Sequence, residues 1–316
     1  VANRIAGKSR KVISRVFLES RFGKSIRASE VEPVIEDVFA SIQRNPHAFN
    51  GLMRCKRDNQ FAYQHALAVS ALMISLARTM KLPVGTIREA GMAGLLLDVG
   101  MAQLPLDLAP TGGDFRGFGD AELRAHTTLG FQHLQLGGDI PDAVAEVALQ
   151  HHEHMDGTGQ PHGLSGDRIS MLSRMAAICD AYDLLVTDGA CARGLDPATA
   201  VATMQDMAGR FDPEIFARFV ETIGAYPVGS LVLLESGRLA MVFDQDPADH
   251  RLPVVRAFWS ASRRAPVKPY DIALARCQGE DRIVGPADPE AYGIADFARV
   301  RTRLYTAAVK NPLASG

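Results

Sequence analysis

The residues best suited to chemistry in this chain lie in HHEHMDGTGQPHGLSG, residues 151–166. His151 and His152 are adjacent. Successive side chains on a helix point about 100° apart, so both can face one cleft, and neutral imidazole is a common ligand for transition metals. Four more residues offer the same chemistry: His65 in an apolar helical stretch, Asp98 in GLLLDVG, His126 at the head of a helical pattern, and Asp180 in MAAICDAYDLL. A carboxylate among leucines and valines is costly to bury unless it is paired or binds a metal, so Asp98 and Asp180 each require a partner. Singly, each group also has a structural reading: His65 as a hydrogen-bonded core histidine, the vicinal pair as a surface feature, Asp180 as a partner of Arg174 or Arg193. The order H…D…H…HH…D along successive helices would bring imidazoles and carboxylates together if those helices pack as one bundle.

The elements that must hold these groups are mostly helical. Val16, Phe17, Ile35, Val38, Phe39 and Ile42 recur at helical spacing around breaks at Gly23 and Pro33, a helical lead-in. Residues 59–80, rich in Ala, Leu and Met and free of Gly and Pro, predict a buried helix closed by KLP. A second apolar helix is expected from Val84 to Val99, stopped by Gly100 in a left-handed conformation. After the loop APTGGDFRGFGD, helical patterns cover 121–136, 141–152 and 170–185, and Pro197 and Pro213 each open another helix. Beyond Tyr226 the runs GSLVLLESGRLAMVFDQ, LPVVRAFW and PYDIALAR read as strands. The expected organisation is mainly α: an N-terminal helical region (1–58), a helical domain carrying the candidate ligands (59–225) and a small β appendage (226–316).

Composition excludes several classes. With 47% hydrophobic and 22% charged residues in 316, the chain is neither disordered nor a rod. A formal charge of −2 gives no global basic field to draw the chain to nucleic acid or to an anionic membrane, although residues 1–60 hold 12 Lys/Arg against 6 Asp/Glu. That local excess reads as a solvated basic helix or as an anion- or partner-binding face. Cys55, Cys179, Cys191 and Cys277 form no C-x-x-C pair, which argues against a zinc ribbon or a disulfide scaffold and fits a reducing cytoplasm. No apolar run reaches the ~20 residues of a membrane span, and the start carries no signal-peptide pattern.

From about Phe61 to Arg256 the chain resembles the HD-GYP domains, a bacterial branch of the HD metal-dependent phosphohydrolases. HHEHMDGTGQPHGLSGDRI is similar to their HHE-x-x-DG-x-GYP-x-GL-x-G-x-x-I, RMAAICDAYDLLVTD to their RI-x-x-x-x-D-x-x-DALT-x-D helix, and YPVGSLVLLESGRLAMV to their C-terminal YP-x-G-x-x-V-x-L-x-x-G segment. The resemblance implies an HD-type helical bundle and a centre of iron or manganese, with one or two ions per chain expected here. It implies hydrolysis of cyclic di-GMP, and work as a homodimer and beside signalling proteins such as diguanylate cyclases. In this reading His65, Asp98, His126, His151, His152 and Asp180 are the metal ligands. Asp98 bridges two ions as the catalytic carboxylate, and Gly159, Gln160 and Arg193 meet the substrate.

The chain departs from that pattern where function lies. The His of the HD dyad is Leu97, the Lys of HD-x-GK is Met101, the Tyr of GYP is Gln160, and R-P-Y after the DALT helix reads Ala190, Cys191 and Ala192 before Arg193. An acidic residue that supports a third metal in some members is Phe61. The first metal would keep His65, Asp98 and Asp180; the second would keep Asp98, His126, His151 and His152. The losses point to a degenerate domain with impaired or lost hydrolysis and a sensor or interaction role. The six retained ligands point to the alternative, an active cyclic di-GMP phosphodiesterase with an unusual metal centre.

Overall fold

Two helices open the chain, α1 (Ala2–Arg21) and α2 (Ala28–Arg44), joined at Gly23, whose φ of +70° suits glycine. The computed structural model describes residues 2–44, 61–246, 249, 251–277 and 279–310. Cys55 and the expected start of the first core helix at Asn59 lie outside the described residues. Pro33 does not break α2: it lies on the exposed side of the helix, where water can reach the carbonyl that its missing N–H leaves free.

α3 (Phe61–Thr79) is buried on every side from His65 to Ala77 and forms the central rod of the core. α4 (Val84–Leu96) lies against it at close range. A Cβ on Gly94 would sit 2.9 Å from the Ser70 backbone, and the Ser70 hydroxyl donates to the Gly91 carbonyl at 2.7 Å. The helix stops earlier than expected, at Leu96, and Asp98 leaves helical geometry (φ −97°, ψ 12°) before a 3-10 turn over Val99–Gln103. Gly100 is therefore not a left-handed stop. It is glycine because a Cβ there would lie 2.0 Å from the His126 carbonyl oxygen.

The single pattern expected over 121–136 is two helices, α5 (Asp120–Leu123) and α6 (His126–Gln135), and His126 opens the second. α7 (Asp142–Gln150) ends before the vicinal histidines, which lie just past its C-terminus instead of within a helix. α8 (Met171–Val186) is capped by Ser170, whose hydroxyl accepts from the Ser173 amide. Asp196 and Asp212 cap α9 (Pro197–Gln205) and α10 (Pro213–Ile223), each opened by its proline as the sequence predicts.

The C-terminal part is larger than a small appendage. β1 (Leu231–Leu234), β2 (Arg238–Asp244), β3 (Val254–Ser260), β4 (Ala265–Ala273) and β5 (Ile283–Pro286) form one antiparallel sheet in the order β4-β3-β2-β1-β5. Alternation sends Val232, Ala240, Val242 and Val255 to one face and Leu231, Leu239 and Met241 to the other. There α11 (Phe297–Lys310) covers the second group with Phe297 and Leu304. Asp196 ties sheet to bundle by accepting from the Leu231 amide at 2.9 Å. Among the described residues no helix is long and apolar enough to cross a membrane.

Candidate metal centre

Five elements deliver the six candidate ligands to one buried point: α3 supplies His65, the break after α4 Asp98, α6 His126, the end of α7 His151 and His152, and α8 Asp180. Ligand atoms of His65, Asp98 and Asp180 lie within 4.8 Å of one another, and so do those of His126, His151 and His152. Asp98 joins the two groups. Its Oδ2 is 3.4 Å from His65 Nε2, while its Oδ1 is 3.4 Å from His126 Nε2 and 3.7 Å from His151 Nε2.

These contacts have the character of a cation site. His65 Nε2 and Asp98 Oδ2 are buried without a hydrogen-bond partner, although Asp180 Oδ1 stands 3.0 Å from that nitrogen. The groups are near one another but not aimed at one another, as expected of ligands converging on a shared ion. On the other side, His126 Nδ1–H donates to the Leu123 carbonyl at 2.6 Å and His151 Nδ1–H to the Val147 and Ala148 carbonyls at 3.1 Å. A carbonyl only accepts, so both Nδ1 atoms carry a proton and both Nε2 atoms face inward, 3.2 Å apart. Burial opposes charge on His151, but Asp98 raises its pKa, so in the ion-free protein a His151 Nε2–H is shared between His126 and Asp98, and a divalent ion would take the place of that proton. The donor set of imidazole and carboxylate suits a divalent transition ion.

Electrostatics agree. Burial opposes charge on His65, yet Asp180, Asp183 and Asp98 around it hold its pKa well above the ordinary value. Burial likewise opposes ionised Asp98, but His151, His65 and His126 keep its carboxyl well below the usual range. Burial and the neighbouring His151 push His152 down to about 3, so it is a neutral imidazole near neutrality. A cation bound here would meet carboxylates and take the place of a proton on His65 Nε2, while Nδ1–H stays with Asp183.

Asp180 does not pair with Arg174 or Arg193. Arg174 binds Asp212 at 2.8 Å, and Arg193 is exposed and bound to Glu290 at 3.0 Å, so this contact holds Arg193 to the C-terminal region and not to the six ligands. Gly159 lies against the histidine segment, where a Cβ would be 2.3 Å from the His154 nitrogen. The Gln160 backbone N–H donates to the His152 carbonyl at 3.0 Å, and the buried Oε1 of its side chain has no hydrogen-bond partner, leaving an acceptor free. Met101 is buried with Phe61, Leu104 and Phe115, and Leu97 is in the main core. Phe61 stacks on the His65 ring at 5.9 Å.

Two residues escaped the sequence reading. Asp183 receives the His65 Nδ1–H at 2.8 Å and so turns Nε2 toward the centre. Its signal was its place three residues after Asp180, on the same helix face. Glu153, buried, accepts the His162 and Leu164 amides at 2.7 and 2.9 Å and anchors the loop that carries Gln160. Only the fold brings those amides to it.

A family model described as HD domain matches residues 48–215, more than half of the chain. The chain is 36% identical to the cyclic di-GMP phosphodiesterase PA4108 of Pseudomonas aeruginosa, over 95% of its own length and 72% of that protein. It belongs to the HD-GYP branch of the HD-domain family. The HD-GYP chain is also 30% identical to the 3'3'-cGAMP-specific phosphodiesterase 1 of Vibrio cholerae, over 53% of its length and 39% of that protein. Bd1817, an HDG"Y"P protein of Bdellovibrio bacteriovorus, shares the fold, with a TM-score of 0.57 at 21% identity over 70% of each chain. The six candidate ligands of this HD-GYP chain therefore sit in a bundle of known type.

Proposed function

We propose that the protein is a metal-dependent phosphodiesterase of cyclic di-GMP working through a two-ion centre of iron or manganese. The observation that carries this reading is the Asp98 carboxylate, whose two oxygens face two separate ligand groups. His65, Asp98 and Asp180 would hold one ion, and Asp98, His126, His151 and His152 the other. Bound ions would supply Lewis acidity at the phosphodiester and lower the pKa of an attacking water. The chain's own residues fix the frame: Asp183 orients His65, backbone carbonyls orient His126 and His151, and Glu153 sets the loop whose Gln160 would meet the nucleotide. Phe61 and Phe115 pack against the His65 ring and keep water from that side.

A second reading, a degenerate domain that binds the nucleotide as a sensor with little turnover, is favoured by Leu97 and Met101. Leucine cannot ligate, and Met101 carries no charge to meet a phosphate or a leaving oxygen.

The test is metal content by mass spectrometry on protein purified without oxygen or chelator, followed by chromatography of cyclic di-GMP incubated with it. Two ions and a linear dinucleotide or GMP product support the proposal. Nucleotide binding without product supports the sensor reading. Absence of both metal and nucleotide binding overturns both readings.

A further inference from the structure

We propose that the outer face of α1 and the turn that follows it dock on an anionic bilayer surface. α1 buries Ile13, Val16, Phe17 and Ser20 against the body of the protein. At about 100° per residue, Lys11, Arg15, Leu18 and Phe22 form a stripe opposite that buried face. All four are exposed, Leu18 at 55% and Phe22 at 72%. Arg21, Lys24 and Arg27 are exposed beside it.

The surface continues onto α6. The Lys24 carbonyl meets His133, and Gly137 packs so closely on the Ile26 carbonyl that a Cβ would lie 2.5 Å from it. Leu136, 67% exposed, stands between these two contacts. Leu18, Phe22 and Leu136 are thus three of the seven large apolar side chains that stand most exposed among the described residues; Leu18 and Phe22 share the α1 stripe, and Leu136 is on the segment that meets the turn after α1. A cluster of this kind marks an interaction surface, whereas scattered single residues do not.

Charge and shape select the occupant. Among the described residues no ion pair engages Lys11, Arg15, Arg21, Lys24 or Arg27. Of the acids near these cations, Glu30 accepts from the Arg27 amide, Asp139 accepts from the Ala28 amide at 3.1 Å, Glu19 is half-buried and Glu32 is exposed on α2. The apolar side chains protrude from a helix end and a turn. A convex apolar wedge ringed by cations suits the headgroup boundary of an anionic membrane, where apolar insertion and attraction to lipid phosphate add. The inference is independent of the proposed hydrolysis.

The experiment is co-sedimentation of the full chain with phosphatidylcholine vesicles and with vesicles that also contain phosphatidylglycerol, at rising salt. Several-fold more protein is expected to pellet with phosphatidylglycerol, with the excess fading as salt shortens the Debye length. Leu18→Ser with Phe22→Ser, and separately Lys11→Glu with Arg15→Glu, should each abolish it while circular dichroism stays unchanged. Equal pelleting with both vesicles, or none, overturns the proposal. So does a dimer in sedimentation equilibrium that the double serine variant dissolves while vesicles pellet nothing, since the face would then serve a second copy of the chain.

Discussion

Asp183 Oδ2 lies 2.8 Å from His65 Nδ1, so a carboxylate that faces away from the candidate ions fixes which nitrogen of His65 faces them. Removing such a support weakens metal binding by about 10–100-fold in comparable sites. Asp183→Ala should do so here, and Asp183→Asn, whose amide oxygen still accepts the Nδ1–H, should lose much less. Titration of the chelator-treated protein with manganese separates the two.

The shared position of Asp98 sets an order among ligand variants. His126→Ala or His151→Ala should leave about one ion per chain, held by His65, Asp98 and Asp180. Asp98→Ala should disturb both groups, leave less than one and abolish turnover. Metal analysis of the purified variants checks this, and equal content in all of them would exclude a bridging role.

Restoring the family's lysine is not a simple repair. Met101 is 5% exposed among Phe61, Leu104 and Phe115, so Met101→Lys alone would bury an ammonium in an apolar cluster. The expected outcome is a marked loss of stability, read from denaturant unfolding and growing as pH falls and the buried amine is forced to take up a proton.

Gly100→Ala should displace the start of α6, because the new methyl would overlap the His126 carbonyl. Overpacking of this kind costs about 1–3 kcal/mol. It should also lower metal content, which a purely structural glycine would not do.

His152 links stability to pH in the metal-free protein. Its folded pKa is depressed to about 3 from 6.5, so the fold favours the neutral ring. That contribution is complete above the unfolded value and is lost as pH falls from 6.5 toward 3, at up to about 1.4 kcal/mol per pH unit. Unfolding free energies between pH 7 and 4 should fall more steeply for the wild type than for His152→Gln.

The sequence by itself determined which residues are candidates for chemistry. A run of helices, the unusual Asp98 and Asp180 among apolar residues, and the HHE-x-x-DG segment were legible because motif spacing and helical periodicity are local. Helix starts were legible for the same reason, as Pro197 and Pro213 show. The sequence could not tell whether Asp180 faced Arg174 or a metal site, since both partners lie on other elements. Only the tertiary structure gave Arg174 to Asp212, Arg193 to Glu290 and Asp183 to His65. The same holds for Gly100, whose need for glycine comes from a helix that begins 26 residues later. Close approach, burial and the direction in which a ring nitrogen points depend on what packs against a residue, and packing joins positions far apart along the chain.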